Sequence, residues 1–244
     1  MTGTWINIAT VLIGSTIGLL FGARFPERIR ESVINVLGVF TLAIGAALFI
    51  RGTSVEGENI ILPLIGLLIG AMLGEWWRLE ARLESLGSAL ERRFAHGSGG
   101  GDKRGSRFVR GFVSASLLFC VGPMTILGSL QDGLTGNYEL LAVKSVMDGF
   151  ASLALASSFG IGVSFSVLII LFYQGGLTLA AAYIEGFFDP LMMAELSVVG
   201  GVLLIGLAIG TLLELRPIRT ANLLPAIVIT PVAMVILRFF GLMG

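Results

Sequence analysis

Residues 120–162 read CVGPMTILGSLQDGLTGNYELLAVKSVMDGFASLALASSFGIG, an apolar run that nevertheless carries Lys144 and Asp148. Four residues apart, the two side chains fall on one face of a helix within reach of each other. At membrane depth each costs about 2.5–3.5 kcal/mol on insertion scales, and ionisable residues kept there default to a functional role. The stretch therefore reads as the polar centre of a membrane protein, around which the other segments pack.

The rest of the chain agrees with that class. Of 244 residues, 55% are hydrophobic and only 13% charged, with a mean hydropathy of +0.92, against about 25% charged in an ordinary soluble domain. The 34 glycines suit helices that approach closely in lipid through small residues. A net charge of zero points to no nucleic-acid partner. The single cysteine, Cys120, excludes a disulfide framework and a cysteine zinc site; no cofactor is expected. MTGTWINIATVLIGS lacks a basic leader and an A-x-A site, so the first apolar segment reads as a permanent helix.

Hydropathy divides the chain into about eight spans: 5–21, 32–50, 60–77, 108–128, 140–158, 163–183, 196–213 and 223–240. The expected fold is an all-α polytopic membrane protein. Spans 1–3 occupy 1–77, a cytoplasmic-side amphipathic helix with a flexible linker 78–106, and spans 4–8 the stretch 107–244. Arg24, Arg28, Arg30, Arg78, Arg82, Arg92, Arg93, Lys103, Arg104, Arg107, Arg110, Arg216 and Arg219 fall on one side, and only Arg51 and Arg238 on the other. By the positive-inside rule both termini lie outside. A re-entrant span 5 would invert the later helices and carry Arg216 and Arg219 outward, against that bias. The outer loops are expected to hold Glu56 and Glu58, and later Glu185, Asp189 and Glu195.

After Trp76 and Trp77 the text becomes RLEARLESLGSALERRF, with Leu79, Leu83, Leu86 and Leu90 at 4-3-4 spacing. This is an amphipathic helix. It lies on the membrane surface or pairs with a second copy; fewer than three heptads favour the surface. His96 sits in the Gly/Ser linker beyond and reads as solvated. Ile-Gly-x-x-Ile-Gly recurs at Ile13–Gly18, Ile65–Gly70 and Ile205–Gly210, either as a trace of internal duplication or as recurrent close packing. The Gly14/Gly18/Gly22 and Gly66/Gly70/Gly74 ridges serve packing within one subunit or a homo-oligomer.

Several polar groups accompany the pair. At 1.5 Å per residue Lys144 lies about 6 Å and Asp148 about 12 Å from the outer end of span 5, so lysine can snorkel outward and aspartate cannot. Ser145 and Ser152 extend the same stripe. Gly122-Pro123 should break span 4, where Thr125, Ser129, Gln131 and Asp132 follow; a broken helix beside an ionisable pair is a common transporter geometry. QDGLTGN also fits an ordinary external turn. Gln174, with Asn7, Asn35, Tyr173 and Asn222, completes the candidates. Against them stands a purely structural ion pair with ordinary interhelical hydrogen bonds. Enzymatic motifs are missing: no Gly-x-Ser-x-Gly elbow, no His-Glu-x-x-His, no phosphate loop, and one deep carboxylate where an aspartyl mechanism needs two.

GPMTILGSLQDGLTG, KSVMDGFASLALASSFGIGVSFS, YQGG and the opening INIATVLIGSTIGLLFG together resemble the uncharacterised bacterial integral-membrane family typified by YdfK and YqgA. The resemblance covers nearly the whole chain and implies a bacterial inner-membrane address with a signature centred on Lys144 and Asp148. Where that family's pattern carries an aspartate after Gly136, this chain has Asn137. The expected function is a small secondary transporter or channel-like permease. In it Asp148 binds a proton, ion or cationic group of an unknown small solute, and Lys144 is the internal counter-charge. The alternative is a non-transporting scaffold that docks lipid or a partner through 76–94.

Overall fold

The computed structural model describes residues 1–22, 26–57, 59–94, 102–120, 123–184 and 189–240. Arg24, Glu58, His96, Gly122 and Glu185 lie outside the described residues, as do the side chains of Arg30, Lys103 and Arg104. Ten α-helices are described: α1 (Thr2–Gly22), α2 (Glu27–Thr53), α3 (Ile61–Trp77), α4 (Leu79–Phe94), α5 (Asp102–Cys120), α6 (Pro123–Thr135), α7 (Glu139–Phe159), α8 (Val167–Ile184), α9 (Pro190–Leu207) and α10 (Ala226–Phe239). A 3₁₀ turn, Ile161–Ser166, leads into α8; a π turn, Ala208–Leu212, extends α9; and a second 3₁₀ turn, Thr220–Leu223, precedes α10. No strand occurs among the described residues.

Six segments are long and apolar enough to cross a membrane alone: Thr2–Phe21, Glu31–Thr53, Glu139–Phe159, Ile161–Tyr183, Pro190–Leu212 and Thr220–Phe239. Two bent pairs, α3 with α4 at 50° and α5 with α6 at 62°, bring the number among the described residues to eight where each pair counts as one span. The protein is a polytopic α-helical membrane protein. The first bend turns on Arg78, whose left-handed φ of 51° ends α3 as such residues commonly end helices. The turn from α7 into α8 is made by Gly160 at φ 85°, a conformation glycine takes without steric cost.

Packing directions agree with eight alternating spans. Gly14 and Gly18 of α1 lie against Gly149 and Leu153 of α7, so the first and fifth spans run parallel. Gly38, Gly45 and Gly52 of α2 meet Leu213, Gly201 and Ala194 in descending order, and Gly66, Gly70 and Gly74 of α3 meet Thr230, Ala226 and Asn222 likewise, so both pairs are antiparallel. The close ridges are thus occupied within one chain. Between α1, α5, α7 and α8 the core is filled by Val11, Phe119, Leu155, Phe159 and Ile170. One end of the bundle gathers Asp132, Asn137 and the Asp189–Arg238 ion pair; the other gathers the Arg110–Glu214 and Arg219–Glu75 pairs.

One expectation is corrected. Glu195 is not a loop residue: Asp189 caps Met192 N at 2.8 Å with Pro190 at the first position, so α9 starts five residues before Glu195, which is fully buried within it. On α4, Leu83 and Leu90 pack against the cluster that holds Phe108 and Phe112 of α5, while Leu86 stays exposed. Asn35 is exposed on α2.

Candidate functional site

The break between α5 and α6 creates the site. In a continuous helix the N–H of residue 123 would bond to the carbonyl of residue 119, but proline has no N–H. Phe119 O is therefore left over in the interior, where an unpaired carbonyl is costly. Lys144 Nζ donates to it at 2.7 Å from α7, and Thr125 Oγ1 donates to it at 3.2 Å from α6. Lysine thus heals a backbone defect on one helix while pairing with a carboxylate on another turn of its own.

That carboxylate is Asp148. Lys144 Nζ is ion-paired to Asp148 Oδ2, and both residues are 7% exposed. The same Oδ2 accepts from Asn7 Nδ2 of α1 at 3.0 Å. Asn7 Nδ2 also donates to Gln174 Oε1 of α8 at 2.9 Å, and Gln174 Nε2 donates to Thr4 Oγ1 at 3.3 Å. The result is a buried polar centre drawn from α1, α5, α6, α7 and α8. Asn7 Oδ1 is buried and has no hydrogen-bond partner among the described residues.

Asn7 reaches Asp148 because α1 and α7 nearly touch. A Cβ at Gly14 would collide with the Gly149 carbonyl and the Ser152 hydroxyl, and one at Gly18 with the Leu153 carbonyl. Ser152 Oγ donates across this seam to Val11 O at 3.1 Å.

Of the sequence candidates, Lys144, Asp148, Thr125 and Gln174 come together. Ser152 stitches the α1–α7 seam, and Ser145, fully buried, returns its hydroxyl to Leu141 O of its own helix at 2.6 Å. Ser129 is buried without a partner among the described residues, and Gln131 lies half-buried. Asp132 is buried too, but its Oδ2 accepts from Met1 N at 2.9 Å and Gly3 N at 3.0 Å, tying α6 to the start of α1 away from the pair. Asn222 belongs to the opposite end, where its Oδ1 accepts from Glu80 N at 2.8 Å and its Nδ2 donates to Glu75 at 2.5 Å. Asn137 lies just before α7, its Oδ1 accepting from Glu139 N at 3.0 Å. A cleft of about 430 Å³ between α6, α8, α9 and α10 is lined by Ile126, Tyr173, Met192 and Pro231; it is apolar and does not include the pair.

This centre, with its proline break and its lysine–aspartate pair, falls inside a match that spans residues 2–235 to the family described as "Protein of unknown function (DUF554)". The chain belongs to the DUF554 family. Within that relationship it is 29% identical over 242 residues to the "Uncharacterized membrane protein YdfK" of Bacillus subtilis strain 168, covering 99% of each chain. It is 32% identical over 229 residues to the "Uncharacterized protein YqgA" of Escherichia coli strain K12, covering 93% of each. No solved structure matches. DUF554 membership adds a membrane setting through YdfK and leaves the activity to be argued from the site.

Proposed function

We propose that the protein is a small secondary transporter or channel-like permease of the bacterial inner membrane, working on a small solute or ion at the Lys144–Asp148 centre. The observation that carries this reading is the junction of a broken helix with a buried ionisable pair, the arrangement that transporters use at mid-membrane. Freed backbone carbonyl, carboxylate, amide and hydroxyl groups converge there from five helices. A structural clasp needs no break in α5, whereas a binding site gains a carbonyl from one. Thr125 and Gln174 belong to this site; Ser129 and Gln131 line α6 beyond it. The reading makes the protein no enzyme and requires no cofactor or nucleic acid; its partners are the bilayer and the solute.

Flux into proteoliposomes, measured with a panel of ions and small metabolites, tests the reading. Asp148→Asn should abolish a flux that the wild type supports. A panel with no Asp148-dependent flux rejects it in favour of a scaffold, a second reading favoured by Trp76 and Leu86, which are exposed on α3 and α4.

The arginine asymmetry supports an orientation with both termini outside. Single cysteines at Thr53 and Asn137 should then react with an impermeant thiol reagent from outside in intact cells, and one at Leu215, which is exposed, should not. Outside labelling at Leu215 would reject the orientation. Thr220 is a poor probe because it is buried.

A further inference from the structure

The Lys144 ammonium already occupies a position built for a cation. Its neighbours are the Phe119 carbonyl at 2.7 Å and the Asp148 carboxylate. Phe119 lies in the last turn of α5, where unsatisfied carbonyls carry the negative end of the helix dipole. A third acceptor belongs to the side chain that already bonds Asp148, Asn7. Asn7 Nδ2 donates to both Asp148 Oδ2 and Gln174 Oε1, which fixes the amide's orientation, since reversing it would set an oxygen against two acceptor oxygens. Asn7 Oδ1, in a fully buried residue, is left without a partner among the described residues. Native proteins rarely leave such an atom unused.

We propose that Phe119 O, Asp148 and Asn7 Oδ1 form a binding site for a primary ammonium group, with Lys144 as a tethered occupant bonded to the first two, which an incoming ammonium ion or protonated amine displaces. An –NH₃⁺ group carries three donors and no acceptor, which matches three acceptor groups. An anion would meet the Phe119 carbonyl and the Asp148 carboxylate beside Lys144. Charge selects in the same direction. With Lys144 in place the buried set is neutral, and it is neutral again when one monovalent cation replaces it, whereas a divalent ion would leave an uncompensated positive charge. Lys144 has somewhere to go: it sits five residues inside the start of α7, about 7.5 Å at 1.5 Å per residue, within snorkelling distance of the outer interface. The displacement needs no change of protonation. Among the described residues, the other titratable groups near the pair are Cys120 of α5 and, beside it, Tyr173 of α8.

This inference rests on the transport reading but is tested by binding, so that the two fail separately. Lys144→Ala empties the tethered position. In detergent at constant ionic strength, methylammonium chloride should raise its melting temperature relative to choline chloride, saturably and by about 3 to 5 °C at ten times Kd. Choline, which has no N–H, is the blank. Lys144→Ala combined with Asp148→Asn should lose the shift, and combined with Asn7→Leu should bind about tenfold more weakly for one lost hydrogen bond. Ammonium and n-butylammonium, run alongside, tell a free ion from the head of a larger amine. Should Lys144→Ala yield no folded protein, Lys144→Met is purified in both salts. Recovery in methylammonium alone supports the site, and equal failure in both rejects it. Equal melting temperatures in methylammonium and choline overturn the proposal even where Asp148-dependent flux of another solute is found. A specific shift without such flux keeps the site and rejects transport.

Discussion

Helices α1 and α3 carry the same ridge, Gly14 and Gly18 in one, Gly66 and Gly70 in the other, each within an Ile-Gly-x-x-Ile-Gly repeat. Both ridges are pressed against a partner helix so closely that a Cβ would collide. Around α1 the seam leads into the buried Lys144–Asp148–Asn7–Gln174 network. Around α3 the polar groups gather at the bundle's arginine-rich end, where Arg219 meets Glu75 and both side chains are more than half exposed. An exposed pair of that kind contributes at most about 1 kcal/mol. The shared ridge is therefore a means of close packing, and what separates the two seams is the ionisable residue placed at depth on only one of them.

The contrast can be pressed at the ridges. At Gly14 a methyl group meets the Gly149 carbonyl, which is backbone and cannot step aside; at Gly66 it meets the Thr230 hydroxyl, which can rotate. Gly14→Ala should cost about 1–3 kcal/mol, as overpacking does, and Gly66→Ala less than half of that, read as melting temperatures in detergent. Equal costs would break the distinction between the seams. A smaller effect is expected from Glu80, which lies on α4 and accepts from Ala221 N at 3.0 Å. Burial pushes its carboxyl above the usual range against that bond and Arg219, with Glu84 and Glu75 adding to the rise. Folding thus favours the protonated form, and this contribution is lost as pH rises through the folded value. Glu80→Gln should melt slightly higher than wild type at pH 8, the gap closing as pH falls into the ordinary carboxylate range. A gap independent of pH would contradict this.

The sequence exposes these features unequally. Lys144 and Asp148 are legible because helical spacing puts positions four apart on one face, and the eight spans follow from apolar length and arginine placement. Phe119 is not legible as a site residue, since its contribution is a backbone oxygen released by Pro123 four residues later, and only the fold brings Lys144 to it. Asn7 and Gln174 are isolated amides in apolar text, 167 residues apart. Asp132 belongs to the candidate set that follows the helix break yet serves to hold the start of α1. Glu195 was within reach of the sequence, because Asp189-Pro190 is a helix-start signal that moves Glu195 from the loop into α9.

The account's central claim is that the pair is a working site and not a clasp, and a double-mutant cycle over Lys144→Met and Asp148→Asn tests it most directly. Each single change leaves one buried group without its partner and should cost about 3–5 kcal/mol, while the double variant, neutral at both positions, should recover most of that loss. Flux and melting temperature are measured together on all four proteins. A working site requires a double variant that is stable and transports nothing; a double variant with wild-type flux would reduce the pair to a clasp between helices.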